Sequence, residues 1–391
     1  MLSWLVISIS VIMPMILLPL LLPTLVYMAQ RKNITDAPNF RKLQRRPVSL
    51  MGGTLVVAVC CASLAVANLY VDLNNLFPAM CMIVFLMTIG LIDDSIDLGY
   101  KYKLLIQLFV VTVLCSAGNY RISSLWNLFG IEYLPLGVSY VLSIFVGVAI
   151  INAINFADGI DGLAAVFGIF SGISMSVWCW HHEEVAHAIL ALIISSSLFA
   201  FWIFNGFSEK FKIYLGDSGS LVLGLFTYLS VCRVLSHHDM QSHLSNGYEI
   251  SFVIALLAPP MFDFVRVVLG RIFQRKSPVK PDRTHLHHIL VDLGLTHQST
   301  NLIIVFLHIL TFCCWGIFVE LRISPSWVVV LMLLVGCLFI NMPYVVLSLF
   351  RKQYPAQFRR LSAGIKNHSR KLIRGRAKIT RLVDKLPTIL R

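Results

Sequence analysis

The sequence has few charged residues. Asp, Glu, Lys and Arg together make up 13% of its 391 residues, against about 25% in a typical soluble domain. Apolar and aromatic residues make up 57%, and many of them occur in runs long enough to cross a bilayer core of ~30 Å. These features exclude an ordinary soluble globular protein and predict an integral membrane protein.

Several motifs that would define other protein classes are absent. The nine cysteines form no CxxC pair and lie in or beside apolar runs, so neither a zinc site nor a disulfide framework is predicted. No GxxxxGK phosphate-binding loop occurs. No internal repeat is present either, and a transporter built from inverted repeats therefore gains no support.

Hydropathy predicts about eleven membrane-spanning helices. The loop after the first span is rich in basic residues, namely Arg31, Lys32, Arg41, Lys42, Arg45 and Arg46. Because such loops stay in the cytoplasm, we predict a periplasmic N-terminus and a cytoplasmic C-terminus. The predicted spans are near residues 2–28, 50–71, 76–93, 103–118, 134–154, 163–181, 185–205, 213–234, 250–270, 299–320 and 325–350.

The chain divides by composition into a membrane domain, 1–350, and a basic tail, 351–391. The formal net charge is +13, and the tail combines Lys and Arg with apolar residues such as Leu361, Ile379 and Leu382 at near-helical spacing. This pattern predicts a cytoplasmic amphipathic helix that lies on anionic lipid. A solvated basic tail is the alternative, and nucleic acid is not an expected partner.

Acidic residues gather in three short motifs at predicted cytoplasmic span ends. Asp93, Asp94 and Asp97 occur in IDDSID, and the i, i+4 spacing of the first and last predicts a shared helical face. Carboxylates crowded in this way require a cation, a proton or a basic partner. Oxygen ligands of this kind suit magnesium or manganese bound with phosphate, although a solvated acidic loop has the same pattern.

The second and third motifs are NFADGIDG and YLGDSGS. Asn152, Asn155, Asp158 and Asp161 recur every three residues, which predicts a polar stripe able to contact a nucleobase or a metal, or an Asx-rich helix cap. Asp217 begins a predicted span. It is a candidate metal ligand beside a positive helix end, which favours a phosphate.

A basic loop follows the ninth predicted span. Its donors outnumber the nearby acids, so we expect it to contact phosphate or sugar, with zinc binding by HLHH as the weaker alternative. Within the span itself, Arg266 is expected to pair with Asp263 three residues earlier. The candidate residues of the loop are Arg271, Arg283, His285, His287 and His288.

Together these motifs resemble the polyprenyl-phosphate N-acetylhexosamine-1-phosphate transferases over nearly the whole chain. The stretches DDSID, NAINFADGIDGL, FNGFSEKFKIYLGDSGSLVLG and PDRTHLHHIL follow the order and spacing of that family. DAPNFRKLQRRPVSLMGG and HLHH are similar to its branch that uses UDP-GlcNAc and undecaprenyl phosphate. The peptidoglycan translocase branch tends to have three adjacent histidines, which Leu286 interrupts here.

The resemblance implies an all-α polytopic membrane protein of the bacterial inner membrane, with an active-site cleft on the cytoplasmic side. It implies an enzyme that uses Mg²⁺, with Mn²⁺ as the alternative. GlcNAc-1-phosphate would pass from UDP-GlcNAc to undecaprenyl phosphate with release of UMP, as the first lipid-linked step of O-antigen or other surface glycan synthesis. A homodimer and a monomer both stay open.

The resemblance also implies roles for the candidate residues. Asp93, Asp94 and Asp97 form the catalytic group, and Asp217 and Asn155 match the metal positions. The nucleotide group comprises Asp158, Asp161, Tyr214, Lys103 and Gln107, and the basic loop is left for the diphosphate and the sugar. The alternatives are another UDP-HexNAc transferase, such as a phospho-N-acetylmuramoyl-pentapeptide translocase, and a membrane transporter. A transporter should have acids spread along a path through the bilayer, whereas these gather at one side.

Overall fold

The computed structural model describes residues 2–36, 47–118, 120–128, 130–235, 247–277, 283–375 and 377–390. Arg41, Lys42, Arg45 and Arg46, on which the predicted orientation partly rests, lie outside the described residues. Fifteen α-helices form in the described part. They are α1 Leu2–Arg31, α2 Gly52–Ala67, α3 Phe77–Ile96, α4 Tyr100–Ala117, α5 Leu136–Ala157, α6 Leu163–His181, α7 Val185–Phe207, α8 Gly216–Leu235, α9 Glu249–Phe273, α10 Leu286–Asp292, α11 His297–Glu320, α12 Pro325–Gly336, α13 Met342–Gln353, α14 Pro355–Gly375 and α15 Ala377–Ile389.

Ten helical segments of the described chain are long and apolar enough to cross a membrane. One of them, Pro325–Gln353, joins α12 and α13 through the π-helical turn Cys337–Asn341. The predicted span at 50–71 forms α2, whose 16 residues cover about 24 Å at 1.5 Å per residue. The prediction of an all-α polytopic membrane protein is confirmed, and the described residues contain ten full-length segments and one shorter apolar helix where about eleven spans were predicted.

In the described ranges, two short antiparallel strand pairs interrupt the helices. β1 Thr35–Asp36 pairs with β2 Val48–Ser49, and β3 Ser124–Leu128 pairs with β4 Ile131–Tyr133. The sequence shows no strand alternation at these places, and we predicted no strands. The pairs form because loops that leave a helix still need partners for their backbone N–H and C=O groups.

By compactness the chain divides into two units. The first comprises Met1–Tyr120, Ile144–Ser230 and Arg376–Arg391. Within it α7 packs against α1, α2 and α6, and Phe201 and Phe204 are fully buried. A Cβ atom on Gly53 would lie 2.1 Å from the backbone nitrogen of Gly219. Because only glycine permits so close an approach, α2 can rest against the first turn of α8.

The second unit comprises Arg121–Ser143 and Val231–Gly375. Its core includes Ala255, Val328 and Met332, where α9 and α12 meet. Pro259 lies inside α9 and has no N–H for the carbonyl of Ala255 four residues earlier. His308 Nε2 donates to that carbonyl at 3.1 Å, so α11 supplies the hydrogen bond that the proline removes.

The basic tail contains two helices, α14 and α15, where we predicted one. Gly375 ends α14, and glycine is the residue that most often terminates helices. α14 belongs to the second unit, where Ser362 Oγ donates to the carbonyl of Asp292 at 3.1 Å. α15 belongs to the first unit and packs against α1 and α7.

Candidate active site

The first unit brings two acids and a lysine together from three helices. Lys103 Nζ, in the first turn of α4, donates to Asp217 Oδ2 at 2.8 Å and also contacts Asp93 Oδ2. Asp93 is buried at the end of α3, and its Oδ1 accepts from the backbone nitrogen of Leu98 at 2.7 Å. One ammonium group therefore balances two carboxylates, as the crowding of acids in the sequence requires.

Asp94 caps the start of α8. Its Oδ1 accepts from the backbone nitrogen of Asp217 at 2.8 Å, and its Oδ2 accepts from that of Ser218 at 3.1 Å. We predicted that this positive helix end would favour a phosphate, but a carboxylate of the protein accepts hydrogen bonds from these two amides. The favourable interaction with the helix dipole thus fixes α3 against α8. Asp217 is held in place by the same contacts.

Asp97 lies apart from this arrangement. We predicted that it would share a helical face with Asp93, and this geometry is wrong because α3 ends at Ile96. Asp97 follows with a left-handed backbone, φ 52°, and an exposed side chain. A residue in that conformation ends the helix, so its side chain leaves the direction of the preceding turn.

The polar stripe of α5 reaches the same cluster through one of its members. Asn155 Nδ2 donates to Asp217 Oδ1 at 2.9 Å and to Ser220 Oγ at 2.8 Å. Asn152 Nδ2 donates to Gln107 Oε1 at 2.6 Å instead. Asn155 and Asp217, the two predicted metal positions, are therefore direct neighbours, whereas the buried Gln107 pairs one turn away.

A second ion pair lies in the loops that flank α5 and α8. Lys212 Nζ bonds Asp161 Oδ2 at 2.7 Å and lies 5.4 Å from the centre of the Tyr214 ring. Burial is the main cause that raises the pKa of Tyr214, with Asp161 adding to it. Burial also raises the pKa of Asp158 well above its usual value, followed by repulsion from Asp217, Asp161 and Asp94.

The basic loop after α9 belongs to the second unit and is held by Asp263. Oδ2 of Asp263 lies 2.7 Å from His285 Nδ1, and Oδ1 of Asp263 accepts from the backbone nitrogen of Leu286 at 3.0 Å. Arg266 pairs with the same carboxylate, as the sequence predicted. It also donates to the carbonyl of Thr284 at 2.7 Å. An acid within α9 thus orients the start of α10.

His287 and His288 follow with neutral rings. Burial, followed by the nearby His288, lowers the pKa of His287 well below its usual value, and burial lowers the pKa of His288 to about 4. Their ring centres are 4.1 Å apart. His287 Nε2 and His288 Nδ1 are buried and have no hydrogen-bond partner among the described residues. Buried polar atoms normally have partners, so both nitrogens are suited to bind a ligand.

The loop contains less unbalanced positive charge than we predicted. Arg283 is exposed and bonds Asp292 Oδ1 at 3.1 Å, and the other oxygen of Asp292 accepts from Arg351 at 2.8 Å. Arg271 is buried in the last turn of α9. Asp263 and Asp292 each balance part of the positive charge of the loop.

The acid cluster has oxygen ligands that suit a hard cation. Carboxylate and amide oxygens are the ligands that Mg²⁺ and Mn²⁺ prefer, and Asp93, Asp217 and Asn155 supply them. In the described ranges no group of three or more His, Cys, Asp or Glu side chains is arranged to hold a metal ion. The Lys103 ammonium provides the positive charge at this point, and Asn155 turns its nitrogen toward Asp217.

The part of the chain that forms the acid cluster is similar to known proteins. Residues 76–234 match the model of glycosyl transferase family 4, a segment that contains Asp93, Asp94, Lys103, Asn155 and Asp217. The chain is similar to this family of transferases over these residues. It is therefore an enzyme, and its apolar helices make it a multi-pass membrane protein.

Two relatives extend the match to most of the chain. The undecaprenyl-phosphate alpha-N-acetylglucosaminyl 1-phosphate transferase of Escherichia coli O157:H7 is 29% identical over 316 residues, which are 79% of this chain and 83% of that protein. The protein of the same name from Yersinia pestis is 27% identical over 78% of this chain and 82% of its own length. With the ten apolar segments, these bacterial relatives support a multi-pass protein of the inner membrane.

Sequence reasoning missed three residues that complete these arrangements. Lys212, Ser220 and Asp263 bind Asp161, Asn155 and His285 respectively. Lys212 and Ser220 lie inside the FNGFSEKFKIYLGDSGSLVLG stretch, where the unassigned polar residues were the available signal. Asp263 was noted only as a partner for Arg266, and nothing local in the sequence links it to a histidine 22 residues later.

Proposed function

We propose that this transferase moves GlcNAc-1-phosphate from UDP-GlcNAc to undecaprenyl phosphate and releases UMP. The observation that carries the proposal is the Asp93, Lys103 and Asp217 cluster, which combines a basic donor with two carboxylates at the ends of apolar helices. The names of the two relatives identify undecaprenyl phosphate and N-acetylglucosamine as the lipid and the sugar of those enzymes. The product would begin the lipid-linked assembly of O-antigen or another surface glycan.

In this reaction an oxygen of the lipid phosphate attacks the β-phosphorus of UDP-GlcNAc. A new P–O bond forms as the bond between that phosphorus and the bridging oxygen breaks, and UMP leaves. All reacting groups are anionic, so catalysis depends on positioning and charge neutralisation. Lys103 is suited to approach the phosphates, and Asp93 to orient the lipid phosphate or accept its proton.

The two neighbouring acids, Asp93 and Asp94, would then have different roles. Both oxygens of Asp94 already accept backbone N–H groups of α8, which suits a residue that positions Asp217. Asp93 contacts Lys103, a flexible side chain that is 26% exposed. We therefore assign proton transfer to Asp93. Asp97, exposed beyond the end of α3, would have at most an indirect effect through the loop before α4.

A divalent cation, Mg²⁺ or alternatively Mn²⁺, would be held by Asp217 and Asn155. When bound, the metal would offset the charge of the diphosphate and make its phosphorus more open to attack. Asn155 would have to present its amide oxygen, because its nitrogen faces Asp217 at 2.9 Å. Asp217 has a side chain that is 32% exposed, so an incoming ion and its waters can reach it.

The remaining residues form two proposed groups, one for the nucleotide and one for the diphosphate and sugar. Asp161 and Tyr214 offer an acceptor and a ring for uridine, and Asp158, Lys103 and Gln107 belong to the same proposed nucleotide group. The buried, unpartnered nitrogens of His287 and His288 suit sugar hydroxyl or phosphate oxygen atoms. Arg271, Arg283 and His285 complete the proposed diphosphate and sugar group.

The proposed orientation puts the N-terminus in the periplasm and the acid cluster at the cytoplasmic face, where UDP-sugars are made. Residues 1–350 would form the transferase domain, and the basic tail 351–391 would lie against anionic lipid, since each nearby cation contributes about 1 kcal/mol of attraction. A homodimer stays a proposal without a specific interface.

The direct test uses purified protein, labelled UDP-GlcNAc, undecaprenyl phosphate and Mg²⁺, and measures UMP release. We expect UMP and a lipid-linked sugar in equal amounts, loss of both with a chelator, and recovery with Mg²⁺ or Mn²⁺. UDP-GalNAc and UDP-MurNAc-pentapeptide serve as matched donors. Faster turnover of either donor would assign another sugar, and absence of UMP release with all three would refute the proposed reaction.

A further inference from the structure

The loop between α7 and α8 runs from Ser208 to Leu215. It carries Tyr214, which belongs to the proposed nucleotide group, and Lys212, which pairs with Asp161 of that group. Its second half is held by the body of the first unit, since the backbone nitrogen of Tyr214 donates to the Ser49 carbonyl at 2.8 Å. Asn205 Nδ2 donates to the Ile213 carbonyl, also at 2.8 Å. The loop therefore enters α8 in a defined conformation.

The first half of the loop is held by the C-terminal helix. Ser208 Oγ donates to Asp384 Oδ1 at 2.6 Å and accepts from the backbone nitrogen of Phe211 at 2.8 Å. The same Asp384 oxygen accepts from the backbone nitrogen of Lys210 at 3.3 Å. A side chain 176 residues away in sequence thus closes the turn that immediately precedes Lys212.

α15 is built to hold Asp384 at this position. Val383 and Pro387 are buried where the helix packs against α1 and α7. Lys378, Arg381 and Lys385 are exposed. Asp384 is the only acid between Gln353 and Arg391, and it lies beside the buried face. A basic amphipathic helix needs no acid to bind a membrane, so the tail prediction leaves this residue unexplained.

We propose that Asp384 is a positioning residue for the nucleotide site and acts through Ser208 on Lys212. The inference rests on the proposed function, which gives Asp161, the partner of Lys212, a nucleotide to bind. Without Asp384 the Ser208 hydroxyl loses its acceptor, and the turn before Lys212 is held only by the Phe211 bond. Lys212 would then keep its charge but lose its fixed approach to Asp161.

The proposal predicts a selective kinetic change. In Asp384→Ala we expect the KM for UDP-GlcNAc to rise about tenfold, the size typical of losing one hydrogen bond to a charged group. The KM for undecaprenyl phosphate and kcat should stay within about twofold, because Asp93, Lys103 and Asp217 are untouched. Amide hydrogen exchange in residues 208–212 should become about tenfold faster.

Further variants distinguish a positioning role of Asp384 from general damage to the fold. Asp384→Asn keeps an oxygen that accepts from Ser208 and should restore the wild-type KM to within about twofold. Ser208→Ala should also raise the KM for UDP-GlcNAc, and the double variant should be less than additive, because both changes remove the bond between Ser208 and Asp384. Lys385→Ala alters the exposed neighbour on α15 and should leave both KM values unchanged.

Several outcomes would overturn the proposal. One is a wild-type KM together with wild-type exchange in Asp384→Ala. Others are a parallel loss of kcat and both KM values, failure of Asp384→Asn to rescue, and additive effects in the double variant. If wild-type protein does not turn over UDP-GlcNAc, the proposed function fails. Exchange in residues 208–212 still decides whether Asp384 holds the loop.

Discussion

Asp217→Asn is the most informative single change, because this carboxylate has a donor on each oxygen. Lys103 Nζ lies 2.8 Å from one oxygen and Asn155 Nδ2 lies 2.9 Å from the other. An amide keeps one acceptor and presents an NH₂ group in place of the second. Either Lys103 or Asn155 must then face another donor, and the negative charge between them is lost.

The size of the effect follows from these contacts. A hydrogen bond to a charged group contributes about 1.5–3 kcal/mol, and two are affected. Asp217 is 32% exposed, so solvent screening favours the lower end, about 3 kcal/mol in total. At about 1.4 kcal/mol per factor of ten, kcat should fall at least about 100-fold. Loss of a metal ligand would deepen the fall.

The assay compares UMP release and thermal unfolding of the purified variant with those of wild type. Asp72→Asn is the matched control, since Asp72 is exposed and accepts only a local bond from the backbone nitrogen of Asn74, which an amide can also accept. We expect a cooperative unfolding transition for both variants, at a lowered temperature in Asp217→Asn, and lost turnover in Asp217→Asn alone. Wild-type turnover in folded Asp217→Asn would remove this residue from the site.

Three further predictions concern other parts of the site. Asp93→Asn should lower kcat without weakening UMP binding, because Asp93 is assigned to the lipid phosphate; equal loss of UMP affinity would assign it to the nucleotide. His287→Ala should reduce UDP-GlcNAc turnover and discrimination between sugars while UMP binds as before, and parallel loss of UMP binding would contradict the sugar role. The pKa of His288 is lowered to about 4, below the ~6.5 of an unfolded histidine, so the unfolded chain binds more protons between these values and stability is lost as the pH decreases through this range. His288→Gln should flatten the fall in unfolding temperature from pH 7 to pH 5, and an unchanged slope would show that His288 does not contribute.

Some features of the protein could be predicted from local sequence. Long apolar runs predict helices that cross a bilayer because spanning is decided by length and hydropathy. The three acidic motifs interrupt these runs at their ends, so the sequence predicted carboxylates gathered on one side of the membrane. The resemblance implied that Asn155 and Asp217 are both metal positions, and the two side chains are in direct contact. The end of α3 was missed, because a left-handed Asp97 has no strong local signal.

Only the tertiary structure decided which groups pair within the site. Lys103 lies between Asp93 and Asp217, and Asp94 occupies the start of α8 where we expected a phosphate. These pairings depend on how closely helices approach, as where Gly53 rests against Gly219. Hydropathy and periodicity describe one segment at a time and contain no information on such contacts.

The basic tail shows most clearly what the sequence determines and what the tertiary structure decides. Its basic residues and helical spacing are visible in the sequence, because both are properties of neighbouring residues. The bond from Ser208 to Asp384 joins residues 176 positions apart. It exists because α15 packs against α1 and α7, and that packing brings the single acid of the tail to the loop that carries Lys212.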